Sequence, residues 1–168
     1  MRHRLSLAFA AIFVMLPLGG SVAQVGESGY SLPLALKAAT TAIATCAGNG
    51  YPVSAVVVDT SGIKKLEARG DHSTVHTTTS AYRKAYTVVT FGPIFRFDTS
   101  SAFAAFAAKN PNGAALAALP DIGPLAGGVA IKEIVAALGV SGSPGGDKDE
   151  ACAQDGVASI KQELPRSR

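Results

Sequence analysis

Tryptophan is absent from this chain of 168 residues, cysteine and methionine occur twice each, and only 16% of the residues are charged. Each scarcity excludes something. No cluster of Cys, His and Glu completes a structural zinc site. The basic residues form only small groups, Lys64, Lys65 and Arg69, then Arg83 and Lys84. Neither group has the density or the interleaved aromatics of a nucleic-acid face, so no nucleic-acid partner is expected. Gly139 to Gly146 is glycine-rich but no Gly-Lys-Ser/Thr follows, which excludes a Walker loop. Nothing resembles a nucleophile elbow, and the residues make a poor case for an enzyme. A surface so low in charge suits packing between subunits, and a homo-oligomer is expected.

What is present begins with a leader. Arg2, His3 and Arg4 precede an apolar run from Leu5 to Leu18, and Gly19-Gly20-Ser21-Val22-Ala23 follows. A basic segment, an apolar core and a small-x-small site predict a signal peptide over 1–23, cleaved after Ala23. The run is shorter than the roughly 20 residues a membrane span needs, and no later segment qualifies. The protein is therefore expected to be periplasmic or secreted, with no integral membrane segment after cleavage. Of the 15 Lys and Arg, loss of Arg2 and Arg4 leaves 13 against 12 Asp and Glu, so the mature chain is nearly neutral. It divides into a short N-terminal segment (24–30), one domain (31–164) and a tail (165–168), the domain being long enough for a proper core.

Periodicity predicts an alternating order of elements. From Ser31 to Gly48, Leu32, Leu36, Ala39, Ile43 and Cys46 recur at helical steps. Pro52 to Val58 and Ile63 to Ala68 read as a hairpin about the turn Asp59-Thr60-Ser61-Gly62. A helix follows from Thr77 to about Phe91, with Pro93 breaking the pattern. Thr99-Ser100 caps another helix to about Lys109, which Asn110-Pro111-Asn112-Gly113 stops. The segment 114–123 has no assignable element. Strands near 125–131 and 134–140 precede a last helix over 147–163. This order predicts an α+β domain with a mainly antiparallel sheet.

The best candidate for chemistry is the loop Arg69-Gly70-Asp71-His72-Ser73-Thr74-Val75-His76, which holds both histidines of the mature chain. Imidazole suits iron and is a common axial ligand of haem. The competing reading for each is an exposed loop residue or a helix-capping contact. Tyr82 and Tyr86 then share a helical face, flanked by Arg83 and Lys84. These cations are either a solvated edge or a seat for a ligand carboxylate, which Arg can grip with two hydrogen bonds. Phe91, Phe95, Phe97, Phe103 and Phe106 could wall a flat apolar ligand or form core. Asp147, Asp149 and Glu150 stand where they would offset the dipole at a helix start. Cys46 and Cys152 lie on core-facing stripes, either as free buried thiols or as a disulfide.

Two blocks carry a family resemblance. Arg83-Lys84-Ala85-Tyr86-Thr87, preceded by the Gly-Asp-His…His-Thr loop, is one. The other is Gly127-Gly128-Val129, Gly139-Val140-Ser141-Gly142 and Asp149-Glu150-Ala151-Cys152-Ala153. With the first helix and the Val-Val-Asp-x-Ser-Gly hairpin, they resemble the GlcG/HbpS-like haem-binding family over about residues 31–162. The resemblance implies a profilin-like α+β fold, frequent oligomers and haem or a related tetrapyrrole as ligand. It also implies that the first and last helices pack on one side of the sheet, where Cys46 and Cys152 would pair. On that basis His72 and His76 are the candidate contacts to haem iron, and Arg83 and Lys84 the candidate contacts to a propionate. The function expected is reversible haem capture or sensing. The alternatives are haem degradation or another small-molecule conversion, and a non-haem accessory or signalling role. Where the family usually has Pro and a Gly-containing turn, this chain has Ala130 and Lys132-Glu133, so a tighter or shifted hairpin is expected.

Overall fold

The computed structural model describes residues 30–164, so the expected leader and the tail lie outside the described residues. The elements run α1 (Leu32–Gly48), β1 (Ser54–Asp59), β2 (Lys64–Arg69), α2 (His76–Phe95), α3 (Ser100–Lys109), α4 (Gly113–Ala117), β3 (Gly128–Ile131), β4 (Ala136–Ser141) and α5 (Gly146–Ala158). The strands form one antiparallel sheet in the order β2-β1-β4-β3. This is the α+β fold the sequence predicts.

Helices cover both faces of that sheet. Val53, Ala55, Val57, Leu138 and Val140 face α1 and α5, whereas Val56, Val58 and Ala137 face α2. A central strand covered on both sides must be apolar at successive positions, which is why β1 reads Ala-Val-Val-Val without alternation. At the edge, β2 half-buries Leu66 and Ala68 and turns Lys64, Glu67 and Arg69 to solvent. Charged edges of this kind resist pairing with other chains.

Close approach of the helices requires small residues. A Cβ on Gly139 of β4 would stand 1.9 Å from the Ala81 carbonyl oxygen of α2, and one on Gly156 of α5 would stand 2.5 Å from that of Ala38. The buried face of α1 is accordingly Ala35, Ala38, Ala39, Ala42 and Cys46. This corrects the predicted stripe: Leu32 and Leu36 are 53% and 49% exposed, because α5 sits too near for leucine. Cys46 and Cys152 form a disulfide across this contact, with Cα atoms 5.7 Å apart and a sequence separation of 106.

Several boundaries also differ. Helix α2 runs through Pro93 to Phe95 and ends on left-handed Arg96 (φ 60°), whose N–H bonds the Gly92 carbonyl. Both costs of Pro93, the lost backbone donor and the crowding of the carbonyl four residues back, fall in the last turn, where the helix is about to end. The unassigned region contains α4, a single short helix. The β3–β4 turn occupies Lys132 to Val135, with Lys132, Glu133 and Ile134 all at positive φ, so β4 begins two residues later than expected, while β3 is shorter because it begins only at Gly128. α5 gives way after Ala158 to a chain of turns. The five phenylalanines form a satellite core, in which Phe91 and Phe103 stack with ring centres 4.7 Å apart.

Candidate functional site

A cleft of about 390 Å3 opens between the first two turns of α2 and the segment 122–125. Three of the expected site residues line it: His76, Arg83 and Lys84, together with Thr79 and Ser80. Ile122, Pro124 and Leu125 supply an apolar wall opposite. The helix periodicity explains the grouping, since 76, 79, 80 and 83 fall on one face at steps of three and four.

The wall is fixed to the helix. The Gly123 N–H bonds the Thr87 hydroxyl at 2.8 Å, and the Ser100 hydroxyl bonds the Leu125 carbonyl at 2.6 Å. A side chain at position 123 would strike the Arg83 Cβ and backbone, at 3.0 and 3.1 Å. Glycine there lets the segment ride directly on α2.

His76 is exposed, and its Nδ1 lies 3.1 Å from the Thr74 hydroxyl. With Nδ1 so engaged, Nε2 is the ring nitrogen left for a ligand, and a hydrogen bond at the other nitrogen is the usual way a metal-binding imidazole is oriented. Arg83 is also exposed, and its guanidinium has no acidic partner among the described residues. The cleft thus joins an imidazole, an unpaired planar cation and an apolar wall.

Lys84 is in a different situation. It is 2% exposed, and its ammonium bonds Asp149 Oδ2 at 2.7 Å and the Val140 carbonyl at 3.0 Å, with Ser141 Oγ at 3.4 Å. It forms the floor of the cleft and is no solvated edge. Asp149 accepts further bonds from the Ser143 N–H and hydroxyl, at 3.0 and 2.7 Å. Glu150 accepts from the Ser101 hydroxyl and the Gly127 N–H. Asp149 and Glu150 at the start of α5 are therefore committed to specific partners beyond any dipole effect. Sequence periodicity marked Lys84 only as a neighbour of Arg83, and its burial depends on residues 56 to 65 positions away.

His72 does not join this cleft. It sits at φ 65° in the turn before α2 and lines a second cavity, with Ile43 and Ala47 of α1. Because α1 and α2 cover opposite faces of the sheet, the loop carrying both histidines passes round its end. Tyr82, half-buried beside the Tyr86 ring at 5.6 Å, has its phenol pushed above its ordinary value by burial, then by Asp121 and Tyr86. Nearby, the Lys64 ammonium lies 4.9 Å from the Tyr82 ring centre.

Comparison with known proteins gives consistent results. The family model described as "Haem degrading protein HbpS-like" matches residues 31–158. The crystal structure of HbpS is 33% identical, covering 87% of this chain and 99% of its own, with a TM-score of 0.71. A double mutant of HbpS from Streptomyces reticuli is 32% identical, covering 92% of this chain and 99% of its own, at the same TM-score of 0.71. The PduOC:Heme complex, at 18% identity, covers 83% of this chain and 99% of its own with a TM-score of 0.67, a likeness of fold. No curated protein matches the chain.

Proposed function

This chain belongs to the HbpS-like family, and from that premise we propose that it is an exported haem-binding protein that captures haem reversibly in the α2 cleft. One observation carries the reading: His76, Arg83 and the Ile122–Leu125 wall line a single cleft. A tetrapyrrole needs an apolar surface for its ring, a donor for iron and a cation for its carboxylates, and these residues are of those three kinds. The family description and the PduOC:Heme structure on the same fold support the choice of ligand.

In this proposal Nε2 of His76 meets the iron, Arg83 meets a propionate, and Ile122, Pro124 and Leu125 exclude water from one side of the ring. Lys84 stays in its ion pair and adds positive charge beneath the cleft. His72, which lines the cavity on the other face of the sheet, takes no part. Bound haem supplies redox-active iron, and the chain supplies its seat. An open cleft of about 390 Å3 accommodates only part of a porphyrin, so a second copy of the chain covering the remainder fits the expected homo-oligomer.

A haem titration of the mature, oxidised protein tests this, followed at the Soret band. Saturable one-to-one binding is expected, weakened about 10-fold or more in His76→Ala and Arg83→Ala and unchanged in His72→Ala. Unsaturating binding, indifferent to His76 and Arg83, would overturn it. The same titration with a reductant separates capture from degradation: a persistent Soret band supports capture, and protein-dependent bleaching supports an enzyme.

A further inference from the structure

The cavity that His72 lines has no part in the proposed haem site, yet its construction has the marks of a binding pocket. It measures about 430 Å3 and lies between the C-terminal end of α1 and the turn 70–72. Ile43, Ala47, Tyr51 and Val53 give it an apolar, partly aromatic lining, with Asp71 and His72 as the polar groups. Few polar groups on an apolar lining of this size is the usual make-up of a small-molecule site.

The turn bearing those polar groups is held firmly. The Gly70 N–H bonds the Val53 carbonyl at 3.0 Å, and a Cβ at that position would stand 2.5 Å from the same oxygen. The Ser73 hydroxyl returns to the Gly70 carbonyl at 2.9 Å and lies 3.2 Å from buried Ser54. Residue 72 is left-handed without being glycine, a conformation that persists only where its surroundings impose it. So anchored, the exposed Asp71 carboxylate and His72 imidazole make no hydrogen bond or ion pair with any described residue. The Lys148 ammonium lies 5.5 Å from the centre of the Tyr51 ring but is not part of the cavity lining, in which Asp71 is the acidic group.

We propose that this cavity is a second binding site, for a small aromatic ammonium compound. Its ring lies against Ile43, Ala47 and Tyr51, its ammonium donates to the Asp71 carboxylate, and His72 offers a further polar contact at the mouth. An aromatic carboxylate of the same shape would meet Asp71 as a like charge and be rejected.

Tryptamine is the probe, because a chain without tryptophan leaves indole emission free of protein background. Saturable binding in the micromolar range is expected, with indole-3-acetate at least 10-fold weaker. Asp71→Asn should weaken tryptamine about 10-fold, Ala47→Phe should abolish binding by filling the cavity, and His76→Ala should leave it unchanged. Both altered positions are exposed, and circular dichroism verifies that the variants fold. Unsaturating binding, equal binding of the two indoles, or loss in His76→Ala with no change in Asp71→Asn would each overturn the proposal.

Discussion

Lys84 and Asp149 stand 65 positions apart in the chain and meet in a 2.7 Å ion pair whose side chains are 3% and 4% exposed. The pair joins α2 to α5 over the end of β4, and every other hydrogen-bonding atom in it has a partner in Val140, Ser141 or Ser143. Desolvation offsets much of the attraction in a buried pair, so its effect shows when one partner is lost.

Lys84→Met is therefore expected to cost about 3–5 kcal/mol, since it leaves Asp149 charged and uncompensated in the interior. The double variant Lys84→Met, Asp149→Leu should recover most of that loss. Urea unfolding of the three proteins measures the difference; equal stability of the single and double variants would contradict it.

The disulfide closes most of the domain into one loop, its cysteines being 106 residues apart. Chain-entropy arguments give about 4.7 kcal/mol for a loop near that length, and removal of native disulfides typically costs about 2–5 kcal/mol. Replacing both Cys46 and Cys152 by Ala should lower the urea midpoint accordingly. Reductant should lower the midpoint of the parent protein and leave the variant unaffected.

Gly139→Ala places a methyl 1.9 Å from the Ala81 carbonyl oxygen and so must push α2 off β4. A loss of at least about 1–3 kcal/mol is expected, the usual cost of overpacking. Gly48→Ala is the control, at a helical position where a Cβ meets nothing within 4 Å. It should stabilise by about 0.5–1 kcal/mol through helix propensity. Thermal melts of both variants check the opposite signs.

Tyr30 is buried, its hydroxyl has no partner among the described residues, and burial pushes its phenol well above the usual range. A group raised in the folded state keeps its proton there while the unfolded chain loses it above about pH 10. Stability should thus fall as pH rises beyond that value, through preferential ionisation of the unfolded chain. Tyr30→Phe should lessen this alkaline loss and, by removing an unsatisfied hydroxyl, gain about 1 kcal/mol at neutral pH. Denaturant titrations at pH 7 and pH 10.5 provide the test.

What was legible in the sequence was local. Helical periods locate four of the five described helices, short apolar or β-branched runs between turn residues locate the four described strands, and turn glycines and prolines mark most of their ends. Pairing of Cys46 with Cys152 followed from the family resemblance. Contacts between distant segments were not legible. The inward face of α1 belongs to alanines because Gly156 lets α5 approach, a fact no period within α1 contains. Lys84 beside Arg83 looked like a second surface cation, and only the partner Asp149 accounts for its burial. Likewise the wall at 122–125, which follows Pro120 and contains Pro124, carries no periodic signal, because its shape is set by Thr87 and Ser100. The two histidines stand four apart in one loop, yet His76 lines the α2 cleft and His72 the cavity beside α1, a separation that their spacing does not show.

The bridge between Cys46 and Cys152 encloses all four strands and α2 to α4, so each exposed turn from 47 to 151 lies within a covalent ring. A protease that cuts once at the Asn110–Asn112 turn would linearise that ring without dividing the molecule. Both pieces would stay tethered, keep their shared core and stay free to re-form their contacts until a reductant arrived. Durability under attack is thereby separated from the slower question of equilibrium stability.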